Sequence, residues 1–134
     1  MGGPSIMAVD GISSAHWKQL EDSMLISCQI ETPKGVELVE KIASCDFMDL
    51  VMTGPYDLAH NMGLVDDYLG QAHLDVLLEI KDRCHNCGKP IGMVVGSGRE
   101  AKRFFDFGFD LIIMGECTGL FERGLAECME ELRG

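Results

Sequence analysis

Four short, almost unbroken apolar runs, each followed by a longer amphipathic stretch, restrict this chain more than any other feature. They fall at residues 24–30 (MLISCQI), 47–53 (FMDLVMT), 90–95 (PIGMVV) and 110–114 (DLIIM). Strand-length segments without polar alternation are expected where both faces of a parallel sheet are covered. Parallel neighbours need a crossover of about a dozen residues or more, usually a helix. The intervening stretches have that character. Residues 33–43 begin with Pro33, suited to a first helical turn, and carry Val36, Leu38, Val39 and Ile42 as an apolar stripe. Residues 66–86 repeat the pattern with Leu74, Leu77, Leu78 and Ile80, place Lys81, Arg83 and His85 in the last turn, and stop at Gly88.

Ser97, with Glu100 three residues on, predicts a capped helix that runs to Phe107 and ends at Gly108. Thr118 is the expected opening of a helix over 119–132, with Leu120, Phe121, Leu125 and Met129 on one side, and an earlier helix over 14–22 holds Trp17. The predicted order is one helix and then four βα units, in a single domain spanning 1–134 with no linker. Four such units suit either an open doubly wound α/β sheet or half of a (β/α)8 barrel, and periodicity does not choose between them. A complete barrel takes roughly 250 residues.

Composition narrows the partners. Eleven basic against 22 acidic side chains leave a formal charge of −11, which disfavours nucleic-acid phosphates and anionic membranes, since both select clustered Lys and Arg. No apolar run approaches the roughly 20 residues of a membrane span, and the opening MGGPS lacks a basic stretch leading into an apolar one. Six cysteines, at 28, 45, 84, 87, 117 and 128, fall partly within core-like segments. They read as free thiols in a reducing, cytoplasmic setting rather than as a disulfide framework.

In parallel α/β architectures, functional groups collect at the carboxyl ends of the strands. The first run ends in Gln29-Ile30-Glu31, whose two polar side chains share one side of an extended backbone; the second leads into Gly54-Pro55-Tyr56-Asp57-Leu58. Glu31 and Asp57, at the tips of adjacent strands, can share a hard divalent cation such as Mg²⁺ or Mn²⁺. Alternatively, Asp57 simply complements a helix N-terminus. Cys84-x-x-Cys87 has no second pair at zinc spacing and sits at a helix end rather than a helix start. Gly96-Ser97-Gly98-Arg99 lacks the spacing of a phosphate-binding loop and reads as a capped turn. Among His16, His60, His73 and His85, only His60 follows the loop closely, and a solvent-facing or capping role is expected for it.

The ordered set QIET, DLVMTGPYDLAHNMG, GKPIGMVV and GFDLIIMGECTGLF resembles the C-terminal half of the HpcH/HpaI aldolase/citrate lyase family. The likeness is to its metal-dependent 2-oxo-acid aldolases of the 4-hydroxy-2-oxoheptanedioate aldolase kind, and it runs over residues 5–132. It implies the last four βα units of a (β/α)8 barrel of the phosphoenolpyruvate/pyruvate type. It further implies Glu31 and Asp57 as ligands of Mg²⁺ or Mn²⁺, with Co²⁺ also accepted. Gln29 becomes a substrate contact, and the backbone amides of Tyr56 and Asp57 become the holders of the pyruvyl carboxylate.

The implied reaction forms or cleaves 4-hydroxy-2-oxo acids from pyruvate and an aldehyde, the metal stabilising the enolate as a Lewis acid. Two departures stand out: Tyr56 replaces a residue that is usually small, and Ala59 stands where serine is common. The family's arginine and histidine, for oxyanion stabilisation and proton transfer, have no matching position, so no catalytic residue is assigned in this half and activity is expected to need the other half. A citrate-lyase-like CoA-thioester lyase is the near alternative. The distant one is a truncated or split, non-catalytic assembly or binding subunit, as a homo-oligomer or paired with a complementary half barrel through its unpaired edges. The family also tends to exchange its final helix, here 119–132, between subunits.

Overall fold

The strands lie side by side in chain order, all parallel: β1 (Ser27–Ile30), β2 (Leu50–Thr53), β3 (Ile91–Val95) and β4 (Leu111–Met114). The computed structural model describes the backbone of residues 14–134 and the side chains from Trp17 onward. The opening MGGPS and the His16 side chain lie outside the described residues. Unbroken consecutive order answers the question that periodicity left open. A doubly wound sheet reverses its strand order at a switch point, whereas barrel strands follow one another around the wall.

The helices are α1 (Ser14–Ser23), α2 (Pro33–Glu37), α3 (Val39–Ala43), α4 (Pro55–Asn61), α5 (Gln71–Asn86), α6 (Gly98–Asp106) and α7 (Cys117–Arg133), with a 3-10 turn at Val65–Asp67. The helix expected over 33–43 is two helices. Thr32 caps the first by accepting the Gly35 N–H at 3.1 Å, and Leu38, at φ −100° and ψ 10°, breaks the helical run. The helix expected over 66–86 begins later, at Gln71, because Leu69 adopts a left-handed φ of 58° and turns the chain. Over 97–107 the expectation holds: the Ser97 hydroxyl accepts the Glu100 N–H at 3.2 Å, and Gly108 leaves with φ 91°. The last helix starts at Cys117 rather than after Thr118, with Glu116 at its N-cap.

The core lies between the two middle strands and the helices behind them. Val51, Leu58, Leu77, Ile80, Ile91, Met93 and Phe104 are all fully buried. Arg83 on α5 clamps α3 by donating to both Glu40 carboxylate oxygens at 2.6 Å, and this hydrogen bonding lowers the Glu40 carboxyl to about 2. Asp110 joins the starts of β3 and β4, accepting the Ile91 N–H at 2.9 Å while lying 2.8 Å from the His85 ring. The expectation that every strand is covered on both faces fails at the edges: β1 and β4 are largely exposed, and α7 has no buried residue. An edge strand has a partner on one side only, and nothing among the described residues lies over its outer flank.

The first two apolar runs are also longer than their strands. Met24, Leu25, Ile26 and Phe47 precede the ladder and stay exposed, and Asp49 closes its entrance by accepting the Ile26 N–H at 2.7 Å. The described cysteines are free; Cys84 is buried, whereas Cys117 and Cys128 are exposed on α7. Burial pushes the Cys84 thiol up to about 12, the reverse of what an activated Cys-x-x-Cys thiol requires. No described helix is long and apolar enough to cross a membrane.

Candidate functional site

A cavity of about 660 Å³ opens at the carboxyl ends of the four strands. Gln29 from β1 lines it, together with Gly54 to Asp57 after β2, Val94 to Gly96 at the end of β3, and Ile113, Gly115 and Glu116 at the end of β4; Tyr68 closes one side. A volume of several hundred Å³ suits a small ligand.

Gln29 and Glu31 meet as the extended spacing predicts: the Gln29 amide donates to Glu31 Oε2 at 2.9 Å. Gly54 packs against this pair so closely that a Cβ there would lie 2.6 Å from Gln29 Nε2 and 3.1 Å from Glu31 Oε2. Only glycine keeps that space clear. Pro55 then starts α4, pre-set for a first helical turn and with no N–H to satisfy. The amides of Tyr56 and Asp57 follow in the first turn, where helix geometry supplies no upstream acceptor. At the far end of α4, Asn61 donates to the Glu31 carbonyl at 2.8 Å. Both ends of α4 are therefore anchored to the tip of β1, and Asp57 is carried on a short, held helix.

Glu31 lies against Gly54 and outside the cavity lining, whereas Asp57 lines the cavity three residues after Gly54. Among the described residues, no three His, Cys, Asp or Glu side chains are grouped to hold a metal ion. Mg²⁺ and Mn²⁺ are hard cations that suit oxygen donors, and Mg²⁺ is usually held by one or two carboxylates with water and substrate oxygens completing the shell. The carboxylates of Glu31 and Asp57 are donors of the kind such a cation takes, and Gly54 keeps the space beside Glu31 open. His60 is exposed on α4 and does not line the cavity. Gly96 belongs to the helix cap: its N–H donates to Glu100 Oε2 at 2.8 Å.

Three features in or beside the cavity had no role assigned from the sequence. Gly115 and Glu116 follow the fourth apolar run directly, so the strand-end rule reaches them. Asn61 carries no spacing signal, because its partner is a backbone carbonyl thirty residues earlier. Tyr68 sits after the 3-10 turn and reaches the site through aromatic packing, edge-on to Tyr56 with ring centroids 5.8 Å apart. On its other side the buried His73 ring lies 5.6 Å away. Burial, together with the negative charge of Glu100, raises the Tyr68 hydroxyl above its ordinary value and keeps it a neutral phenol. Burial lowers His73, against the opposing pull of Asp67, while Nδ1 accepts the Leu69 N–H at 3.2 Å.

A family model described as HpcH/HpaI aldolase/citrate lyase matches residues 6–121. A hydroxypyruvate/pyruvate aldolase of Chromohalobacter salexigens is 27% identical over 127 residues, covering 92% of this chain and 49% of the relative. A 5-keto-4-deoxy-D-glucarate aldolase of Salmonella arizonae is 33% identical over 113 residues, covering 81% of this chain and 43% of the relative. Among solved structures, an HpcH/HpaI aldolase/citrate lyase family protein from Burkholderia cenocepacia superposes with a TM-score of 0.81 at 21% identity. That match covers 90% of this chain and 47% of the other. The chain spans about half the length of these relatives, and its four-stranded parallel sheet corresponds to about half of their (β/α)8 barrel.

Proposed function

Since the chain belongs to the HpcH/HpaI aldolase/citrate lyase family, we propose that it carries the metal- and oxo-acid-binding end of a carbon–carbon lyase of the class II pyruvate aldolase type. The observation that carries this reading is the corner in which Gln29 and Glu31 pack on Gly54, three residues before Asp57. Glu31 and Asp57 are the oxygen donors that would hold Mg²⁺ or Mn²⁺, with Co²⁺ as a further candidate. When bound, such a cation supplies a Lewis acid that polarises the 2-oxo group of pyruvate and favours loss of a neighbouring proton.

The remaining work falls to the chain's own groups. The amide N–H groups of Tyr56 and Asp57, unpaired in the first turn of α4, donate to the substrate carboxylate. Gln29 spends one amide hydrogen on Glu31, which fixes its side chain and leaves its carbonyl and second hydrogen for substrate. Asn61 holds the end of β1 so that Glu31 keeps its place. The reaction joins or separates pyruvate and an aldehyde, giving or consuming a 4-hydroxy-2-oxo acid.

Calorimetric titration with Mg²⁺ and Mn²⁺ tests the corner. Glu31→Ala and Asp57→Ala are each expected to abolish uptake, and unchanged binding in both overturns the assignment. Metal-dependent release of pyruvate from a 4-hydroxy-2-oxo acid tests the activity. A second reading, a non-catalytic subunit that assembles with a copy of itself or a complementary half barrel, is favoured by one observation. The apolar stripe of α7, with Phe121 71% and Leu132 80% exposed, has no cover among the described residues. Light scattering discriminates, because a stable monomer at micromolar concentration counts against obligate assembly.

A further inference from the structure

One wall of the cavity is held by a residue that does not line it. Tyr68, on the lining, meets Tyr56 edge-on with ring centroids 5.8 Å apart, and the His73 ring lies 5.6 Å from it. His73 is fully buried in the first turn of α5, and its Nδ1 accepts the N–H of Leu69 at 3.2 Å. A ring nitrogen that accepts carries no proton, so the neutral imidazole bears its hydrogen on Nε2. That second nitrogen is buried and finds no hydrogen-bond partner among the described residues. The polar contribution of the ring is therefore made at Nδ1 alone.

The bond it makes closes a strained turn. Leu69 is the one described non-glycine residue with positive φ, at 58°, a left-handed conformation that a leucine side chain disfavours. The turn has no slack: the Gly70 N–H donates to the Asp67 carbonyl at 2.8 Å, and a Cβ at Gly70 would collide with the Asp67 carboxylate. Protonation of Nδ1 replaces an acceptor with a donor facing the Leu69 N–H, and the strained turn loses the contact that secures it. The new charge has little support. Nε2 has no acceptor, and the positive end of α5 opposes a cation in its first turn. Asp67, exposed on the 3-10 turn beside the equally exposed Asp66, is the acidic group that bears on the ring. Tyr68 meets the ring as a neutral phenol, with Glu100 of α6 bearing on its hydroxyl, and His60 of α4 is exposed. Around α5 itself, Asp75 is exposed and takes the Gln71 amide, β3 brings no ionisable side chain, and Glu40 of α3 is engaged by Arg83 ten residues further along.

We propose that His73 is the positioning residue of the cavity's aromatic wall: as the neutral Nε2–H tautomer it holds Leu69 in its left-handed turn and Tyr68 against Tyr56, and proton uptake from solvent at Nδ1 lets both go. The cavity then has two forms, one walled by Tyr68 and one open beside Tyr56, and the balance between them follows pH. Burial lowers His73 against the pull of Asp67, so release falls below the ordinary 6.5 and the wall is in place at neutral pH. By linkage, any ligand that rests on the Tyr68 ring holds the proton off His73. The inference concerns the shape of the cavity rather than what reacts in it, so it stands apart from the aldolase reading.

NMR on the 134-residue chain, with no metal or ligand added, reads both the imidazole and the wall. At about pH 8 the His73 ring nitrogens are expected to show the Nε2–H tautomer, together with cross-relaxation between the Tyr56 and Tyr68 rings. On acidification that cross-relaxation should be lost with the same midpoint as the His73 titration, while the β3 amides keep their native shifts. His73→Asn offers an amide oxygen near the Nδ1 position and does not titrate, so it should keep the tyrosine contact down to about pH 5. His73→Phe keeps a ring but offers no acceptor, and should lack the contact throughout. An Nδ1–H tautomer at about pH 8 overturns the proposal, as does a tyrosine contact that persists in folded His73→Phe or after His73 is protonated. A contact that disappears only when the β3 amides unfold overturns it too. Should His73→Phe fail to fold, the wild-type titration decides alone.

Discussion

Helices α5 and α7 are nearly the same length, 16 and 17 residues, and both carry an apolar stripe, yet they end in opposite situations. On α5 the stripe is consumed: His73, Leu74, Leu77, Ile80 and Cys84 are all buried. On α7 the equivalent Leu120, Phe121, Leu125, Met129 and Leu132 are all exposed. Their strands differ in the same way, β3 being almost wholly buried and β4 exposed at Ile113 and Met114. Amphipathic patterning therefore records that a helix needs a surface to lie on. Whether the same chain provides that surface is a separate question, decided by how many neighbours the adjoining strand has.

Truncating the two stripes gives the largest contrast. Leu77→Ala removes a fully buried side chain and should cost about 3 kcal/mol in denaturant unfolding. Leu125→Ala, at a position 52% exposed, should cost less than about 0.5 kcal/mol. Equal losses would break the comparison. Glycines offer a second contrast of opposite sign. A Cβ at Gly92, within β3, collides with Met52 Sδ and approaches Leu111, so Gly92→Ala should destabilise by about 1–3 kcal/mol. Gly124, within α7, has open space around it, so Gly124→Ala should raise stability by about 0.5–1 kcal/mol through helix propensity.

The ionisable groups make smaller and more local differences. His73 on α5 has its folded value lowered by burial, so between that value and the ordinary 6.5 the unfolded chain binds more protons. Thermal stability should therefore fall as pH is lowered from 6.5, and His73→Gln should flatten the dependence. The smallest effect belongs to the Arg83–Glu40 clamp between α5 and α3. Its contribution is complete above 4.5 and should disappear as pH falls through about 2, a change that Arg83→Met would remove from an acid titration followed by circular dichroism.

Much of the fold was readable in the order of residues, for reasons tied to local chemistry. Val51 to Thr53 and Ile91 to Val95 lie in the interior of the sheet, so their lack of alternation reports their surroundings truly. Ser97 and Glu100 make the capping contact that their spacing predicts. Near β1 the same signal misleads: Met24 and Leu25 are as apolar as a strand core, yet they lie ahead of a ladder whose register begins at Ser27, and both stay exposed. The break at Leu38 and the turn at Leu69 left no trace, because neither residue is a Gly or Pro that would announce it. At the site, Gln29, Glu31 and Gly54 to Asp57 are legible because adjacent strand tips bring them together. Tyr68 is not, since a contact between rings twelve residues apart through a 3-10 turn has no fixed period.

The consecutive strand order bears on how the sheet opens and closes. Each strand pairs only with the one before it and the one after it in the chain, so every ladder is sealed by a single βα crossover. A sheet of this kind behaves as a short linear array, in which units are added to or lost from an end at the expense of one interface each. Amide hydrogen exchange should then be graded by position, fastest in β1 and β4 and slowest in β2 and β3, where detachment requires two ladders to break together. The Glu31 corner straddles the outermost of these ladders, so the tip of β1 leaves its place against Gly54 whenever that ladder frays, well before the rest of the sheet unfolds.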